Sequence, residues 1–401
     1  MRNVVIVRIY PTVEQQQALS KAFGCARWFW NSSLAETNKL YQETGKGLSR
    51  QGINDRLPGL KQEFPWLKDC YSQVLQSVSL NLSRAFINFF ENRAKFPNFK
   101  SKHGKQSIQY PQNVKLSSDS IHIPKIGDIK AKIHRLFEGS LKTVTISLST
   151  SGKYNASLLF DDGLPDIEPS SQGNAIGVDL GLTHFAVTSN GSKFDKTRHL
   201  QKHAKNLKRK QQKLARKKKG SKSREQAKKL VARVHEKITN TRKDFQHKLS
   251  RKLVNENQVI CVENLAVKNM VKNHNLAKAI SDCGWSDFTT MLKYKSEKEG
   301  HIYVEVDRFF PSSKTCHVCL NRSCSLPLDI RSWECSHCLT LHDRDINAAI
   351  NIRNEGLRIL ALGTSASAKG GNVRPKRGRK SSVEAVPIEI GSPIKSVSRV
   401  G

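Results

Sequence analysis

The chain opens on alternation. Val5, Val7 and Ile9 share one face of residues 2–9, which predicts a strand ended by Pro11. The period then changes. After Thr12, a capping residue, Ala18, Ala22, Cys25 or Ala26, and Phe29 follow at helical spacing, predicting a helix over 13–43 stopped by Gly45 and Gly47. Leu75, Val78, Leu82, Ala85 and Phe89, spaced 3, 4, 3, 4, predict a second helix over 70–94. Short strands return at 108–110, 120–123, 128–133, 143–148 and 154–160. Residues 1–10 and 106–163 thus read as a small β-barrel into which a helical domain, 11–105, is inserted. The polar stretch DDGLPDIEPSSQGN, 161–174, marks a domain boundary.

Beyond it, 175–189 read as strand, turn, strand. Leu200, Ala204, Leu207, Gln211 and Leu214 form a seam that breaks at KKKGSKS and resumes at Leu230, Val234, Ile238, Thr241, Phe245, Leu249 and Leu253. This predicts a helical hairpin with an apolar seam and a cationic outer face. VICVE, 259–263, is a buried strand ending in a carboxylate. A loop or broken helix (264–275), one helix (276–298), a strand (301–306) and a helix over 346–353 follow. Residues 362–401 are rich in Gly, Ser and basic residues without period and are expected to form a disordered basic tail. The fold class is α/β, multidomain.

Charge changes this picture. The 401 residues carry 68 Lys and Arg against 34 Asp and Glu, a formal net of +34, and 23 of the basic residues lie between Lys196 and Lys252 against Glu225, Glu236 and Asp244. Such a field attracts polyanions, and nucleic acid is the expected partner. Lys208, Arg209, Lys210, Lys217, Lys218 and Lys219 on the hairpin are candidate backbone contacts. So are Lys100, Lys102 and Lys105 in the aromatic-bearing loop KFPNFKSKHGK, 95–105. No segment approaches the ~20 apolar residues of a membrane span, and the first apolar run, interrupted by Arg8, is too short for a signal peptide. The expected location is the cytoplasm, at the nucleoid, with no membrane partner.

Nine cysteines without a secretion signal point to a reducing compartment and metal ligation. Cys316/Cys319 and Cys335/Cys338 are two Cys-x-x-Cys pairs separated by fifteen residues, the spacing of a zinc ribbon. Cys324, His317 and His337 break that paired spacing. Four thiolates leave zinc no open coordination position, so its expected duty is structural. A second constellation is Asp179, Glu263 and Asp345, each at the edge of an otherwise apolar element. Carboxylates brought together repel unless cations sit between them. Hard oxygen ligands suit Mg2+ or Mn2+, and two such ions would serve phosphodiester hydrolysis. Asp343 competes with Asp345. Two residues apart on a helix they point about 160° apart, so one of them faces the site.

IGVDLGLTHFAVTSNG, VICVENL, PSSKTCHVC, WECSHC and HDRDINAAINI, in this order, resemble the TnpB (OrfB) family of transposon-encoded, RNA-guided DNA endonucleases, relatives of the ancestors of type V CRISPR effectors. The resemblance covers nearly the whole chain. It implies that the barrel and inserted helices are wedge and recognition domains. It also implies a ribonuclease H-like RuvC domain (164–311 and 340–361) with an inserted zinc ribbon (312–339). By motif, Asp179, Glu263 and Asp345 take the catalytic places, which selects Asp345 over Asp343. The implied partners are a guide RNA from the transposon end and target double-stranded DNA, with structural Zn2+ and catalytic Mg2+ or Mn2+ as cofactors. A nucleic-acid-binding regulator of transposition that does not cut would share the charge and the zinc but would not need three acids. Leu320 stands where the family commonly has Gly after the second Cys, so the turn there is expected to differ.

Overall fold

In the computed structural model, which describes residues 2–135, 138–195, 198–323, 325–327 and 329–363, strand β1 (Arg2–Tyr10) leads into a 32-residue helix, α1 (Val13–Thr44). The Thr12 hydroxyl accepts from the Gln15 N–H and the Gln15 side chain accepts from the Thr12 N–H, a full capping box. Gly45, at φ +72°, closes the helix in the left-handed region. Three short pieces absent from the apolar pattern follow: α2 (Arg50–Asp55), α3 (Leu57–Glu63) and a 3-10 turn (Pro65–Asp69). Each is too short to show a helical period. α4 (Ser72–Phe90) comes next.

Strands β2 (Gln106–Tyr110), β3 (Lys115–Leu116), β4 (Ser120–Ile123), β5 (Gly127–Lys132), β6 (Ser140–Leu148) and β7 (Tyr154–Asp161) join β1 in a seven-stranded antiparallel sheet, order β2-β6-β7-β1-β5-β4-β3. Phe29 and Leu34 of α1, Leu75 and Leu82 of α4, and Ile9, Ile146 and Leu158 of the sheet belong to one continuous core. The helices close the apolar side of the sheet.

The second part is built on β8 (Ala175–Asp179), β9 (His184–Thr188) and β10 (Lys193–Asp195), then α5 (His199–Ala215) and α6 (Lys222–Glu256) as the basic hairpin. After β11 (Val259–Glu263) come α7 (Val267–Met270), α8 (His274–Cys283), α9 (Trp285–Glu299), β12 (Ile302–Val306), the ribbon strands β13 (Ser332–Glu334) and β14 (Leu341–Asp343), and α10 (Arg344–Ala361). The single helix expected over 276–298 is two. Gly284, at φ +66°, breaks it, and the buried Gln246 side chain donates to the carbonyls of Cys283 and Gly284 at 2.8 and 2.9 Å. The final helix starts two residues earlier than expected and extends to Ala361. The part of the basic tail beyond residue 363 and Cys324 lie outside the described residues.

The five strands β10-β9-β8-β11-β12 form one sheet, with β8, β11 and β12 parallel and β9 and β10 antiparallel. Alternation sorts its two faces. Ile176, Val178, Ile260, Val262 and Tyr303 pack with Leu249, Phe288 and Leu292 of α6 and α9. Val259, Cys261 and Val304 pack with Ile352 of α10. At two glycines that helix comes closer to the strands than any side chain would allow. A Cβ at Gly177 would fall 2.0 Å from the Ala349 carbonyl oxygen, and one at Gly356 would fall 2.3 Å from the Cys261 sulfur.

Candidate active site

Asp179 is the last residue of β8 and Glu263 the last of β11. The parallel register pairs Cys261 with Gly177 and Val262 with Val178, so the two carboxylates stand one step further on, at neighbouring strand ends. By strand parity they share the face of Gly177 and Cys261, which α10 covers. Asp345 sits in the first turn of that helix. Burial, then the charges of Glu263 and Asp345, push the Asp179 carboxyl up to about 7, against the opposing pull of Arg344 and Arg331. Burial also raises Glu263. The sheet ends and the helix start therefore bring all three expected acids into one electrostatic unit.

Asp343 has another place. It precedes the helix as its N-cap, accepting from the N–H groups of Asp345 and Ile346 at 3.1 Å, and pairs with Lys193 at 2.6 Å. Burial opposes its charge, but Lys193 and the two N–H groups hold the carboxyl below its usual value. Asp343 is therefore a cap and Asp345 a helical residue, so they are not separated by the 160° expected of two helical positions. Arg331, from the ribbon, reaches Asp345 at 3.4 Å and Thr183 at 3.2 Å.

The four sulfurs of Cys316, Cys319, Cys335 and Cys338 lie within 4.8 Å of one another, and Cys316–Cys338 and Cys319–Cys335 are each 3.6 Å apart. A zinc tetrahedron with Zn–S of about 2.3 Å has edges of about 3.8 Å, so the set fits that ion. His342 Nε2 stands 3.1 Å from Cys316 Sγ, and the Thr340 hydroxyl 3.2 Å from Cys338 Sγ, as partners for thiolate charge. Leu320 and Leu339 close the two knuckles alike, at φ +62° and +56°, each donating its N–H to the first Cys carbonyl of its pair. Leu320 simply occupies a left-handed position that glycine fits better. Leu320→Gly is expected to stabilise the zinc-loaded ribbon by about 1 kcal/mol, read as a raised unfolding midpoint; an unchanged or lower midpoint would contradict the strain.

Asn347 and Asn351, one turn apart on the buried side of α10, were missed in the sequence. Both side-chain amides donate to the Thr315 carbonyl, at 2.8 and 2.6 Å, and Asn351 also donates to Ser312 at 2.8 Å. The Asn347 carbonyl accepts from the His317 N–H at 3.1 Å. The first knuckle is thereby bolted to the helix that carries Asp345. Two buried asparagines spaced i, i+4 on an apolar face were the available signal.

Among the expected nucleic-acid contacts, Lys102, Lys105, Lys208, Arg209, Lys217, Lys218 and Lys219 are exposed and Lys210 is half-buried. Lys100 is engaged. It is exposed as a residue, but its ammonium lies 3.7 Å from the centre of the Trp30 ring, and loss of water around the charge lowers it to about 8.

Residues 162–274 match the family model described as "Probable transposase" of the OrfB type, 285–352 match "Cas12f1-like, TNB domain", and 1–46 match an OrfB-associated "Helix-turn-helix domain". A Streptomyces pristinaespiralis protein provisionally named an RNA-guided DNA endonuclease is 37% identical over 377 residues, covering 92% of this chain and 91% of its own. The InsQ protein of Escherichia coli, with the same provisional name, is 30% identical, covering 89% and 92%. The chain belongs to the TnpB (OrfB) family. A mimivirus TnpB-like protein, L770, is 26% identical and covers 88% of this chain and 73% of its own. The fold is shared with Cas12f1, solved in a complex with sgRNA and target DNA, at a TM-score of 0.54 and 14% identity, over 88% of this chain and 99% of that one. In this TnpB-family chain, the segment matched as helix-turn-helix folds as β1 followed by the single helix α1. Among the described residues no helix is long and apolar enough to cross a membrane.

Proposed function

We propose that the protein is an RNA-guided DNA endonuclease of a transposable element. The observation that carries this reading is the placing of Asp179 and Glu263 at neighbouring strand ends, with Asp345 in the first turn of the helix over them and close enough for its charge to act on Asp179, in a chain of this family. The strand order β10-β9-β8-β11-β12, with the antiparallel pair β9 and β10 beside three parallel strands, supports a ribonuclease H-like RuvC domain. The seven-stranded sheet and α1–α4 would then be the wedge and recognition parts. The three carboxylates would hold Mg2+ or Mn2+, which when bound supply Lewis-acid activation of water and stabilisation of the leaving oxygen in two-metal phosphodiester hydrolysis. Oxygen donors whose ionisation is opposed by burial and by one another's charge fit such cations, which would relieve that repulsion. Arg331, paired with Asp345, offsets part of that charge. Guide RNA from the transposon end and double-stranded target DNA would lie along the basic hairpin and loop, pairing supplying the sequence readout.

Sequencing the RNA that co-purifies with the protein, then assaying cleavage of a matching DNA in Mg2+, tests this directly. A defined RNA and guided cutting are expected. Specific cutting that survives RNase treatment, or binding without cutting, would overturn it.

Two further outcomes follow. With ~6–10 phosphates neutralised, nucleic-acid affinity should fall by roughly a thousandfold or more between about 50 and 200 mM salt; a flat response in a filter-binding titration contradicts the charge argument. Asp179 must also lose its proton before it takes a cation. With its carboxyl at about 7, apparent metal affinity should weaken by about tenfold for each pH unit below that value and level off above it. Mn2+ titrations at pH 6, 7 and 8 read this, and equal affinities would refute it.

A further inference from the structure

Phe99 is held out into water by a loop that is otherwise tied down. The Trp30 indole N–H donates to the Asn98 carbonyl at 3.0 Å, and the Asn31 side chain clamps Lys100 from both sides, accepting from its N–H at 2.7 Å and donating to its carbonyl at 3.0 Å. Lys100 lies on the Trp30 ring. Both residues flanking Phe99 are thus fixed on α1, yet Phe99 itself is 60% exposed. Nearby Phe96 packs edge-on against Phe86 and Phe89, at 5.7 and 5.3 Å, but among the described residues no ring meets Phe99. The surrounding charge has one sign. Residues 81–106 hold six Lys or Arg and one acid, Glu91, which Arg93 already pairs. A rigidly presented aromatic face in the same loop as the exposed Lys102 and Lys105 suits a base on a phosphate strand. A second copy of so basic a surface would be repelled.

We propose that Phe99 is a stacking surface for one unpaired base of a single-stranded nucleic acid whose phosphates are held by Lys102 and Lys105. This rests on the nucleic-acid reading above but not on cleavage. The test uses the full chain without Mg2+ and single strands carrying one 2-aminopurine, in ribose and deoxyribose forms. Phe99→Ala should weaken binding by about tenfold or more, the effect of losing one stack, and abolish quenching, with the unfolding midpoint unchanged. Phe99→Trp should restore both, and the arm that responds identifies the strand. Wild-type affinity in Phe99→Ala in both arms, or in Phe99→Leu, which keeps size without a ring, overturns the proposal. So does a changed oligomeric state with unchanged affinity, which would make Phe99 a contact between copies. A protein that binds but does not cut would sink the endonuclease reading and leave this one standing.

Discussion

Asp179→Ala should leave the ribonucleoprotein assembled and lower guided cleavage at least about a thousandfold, some 4 kcal/mol of transition-state stabilisation. Asp179 is the acid whose charge is most opposed by the other two, and it stands at the end of the central strand of its sheet. Removing it deletes an oxygen donor shared by any cation held between β8 and α10. It also relieves repulsion in the metal-free fold, so the unfolding midpoint should hold or rise while activity disappears. That split separates a ligand from a residue needed for folding. Glu263→Ala and Asp345→Ala should behave alike, whereas Asp343→Ala should lose helix-capping stability of about 1 kcal/mol and keep most of the activity. Full cleavage by Asp179→Ala, loaded with its RNA, would end the proposed mechanism.

Removing zinc should be nearly as damaging by another route. The ribbon's own core is small, built on Cys316, Trp333 and Cys335, and too little apolar surface is buried there to order the segment without a metal. Cys335→Ser, or exhaustive chelation, should release the ribbon and, through Asn347, Asn351 and His342, loosen the start of α10. Cleavage should fall by roughly a hundredfold, the upper end of supporting-residue effects at metal sites, together with new proteolytic sites between residues 312 and 343. Metal analysis should find one zinc per chain in the parent. A zinc-free protein that cuts at the parental rate would show that the ribbon does not position the acid.

Much of this was legible in the chain because local pattern and tertiary role coincide. β1, β8 and β11 announce themselves by alternation or apolar runs that end at a charge. The paired cysteines carry their geometry in their spacing. The gaps have physical causes. α2 and α3 are too short for periodicity. Gly284 breaks a pattern that stays apolar on both sides, so composition hid the break. Lys100 read as a free cation because its partner, Trp30, lies seventy residues earlier. Asn347 and Asn351 looked like ordinary helix residues until the knuckle they hold was folded over them.

The contact between Gly177 and the Ala349 carbonyl has a consequence for how such a site ages. Backbone rests on backbone at Gly177, so the interval between β8 and the last helix is set at that point by main-chain atoms and not by a side chain. Aliphatic exchanges elsewhere in the two cores can accumulate without moving Asp179 relative to Asp345. The protein can therefore drift widely in sequence and still keep its calibration, provided two glycines stay where they are.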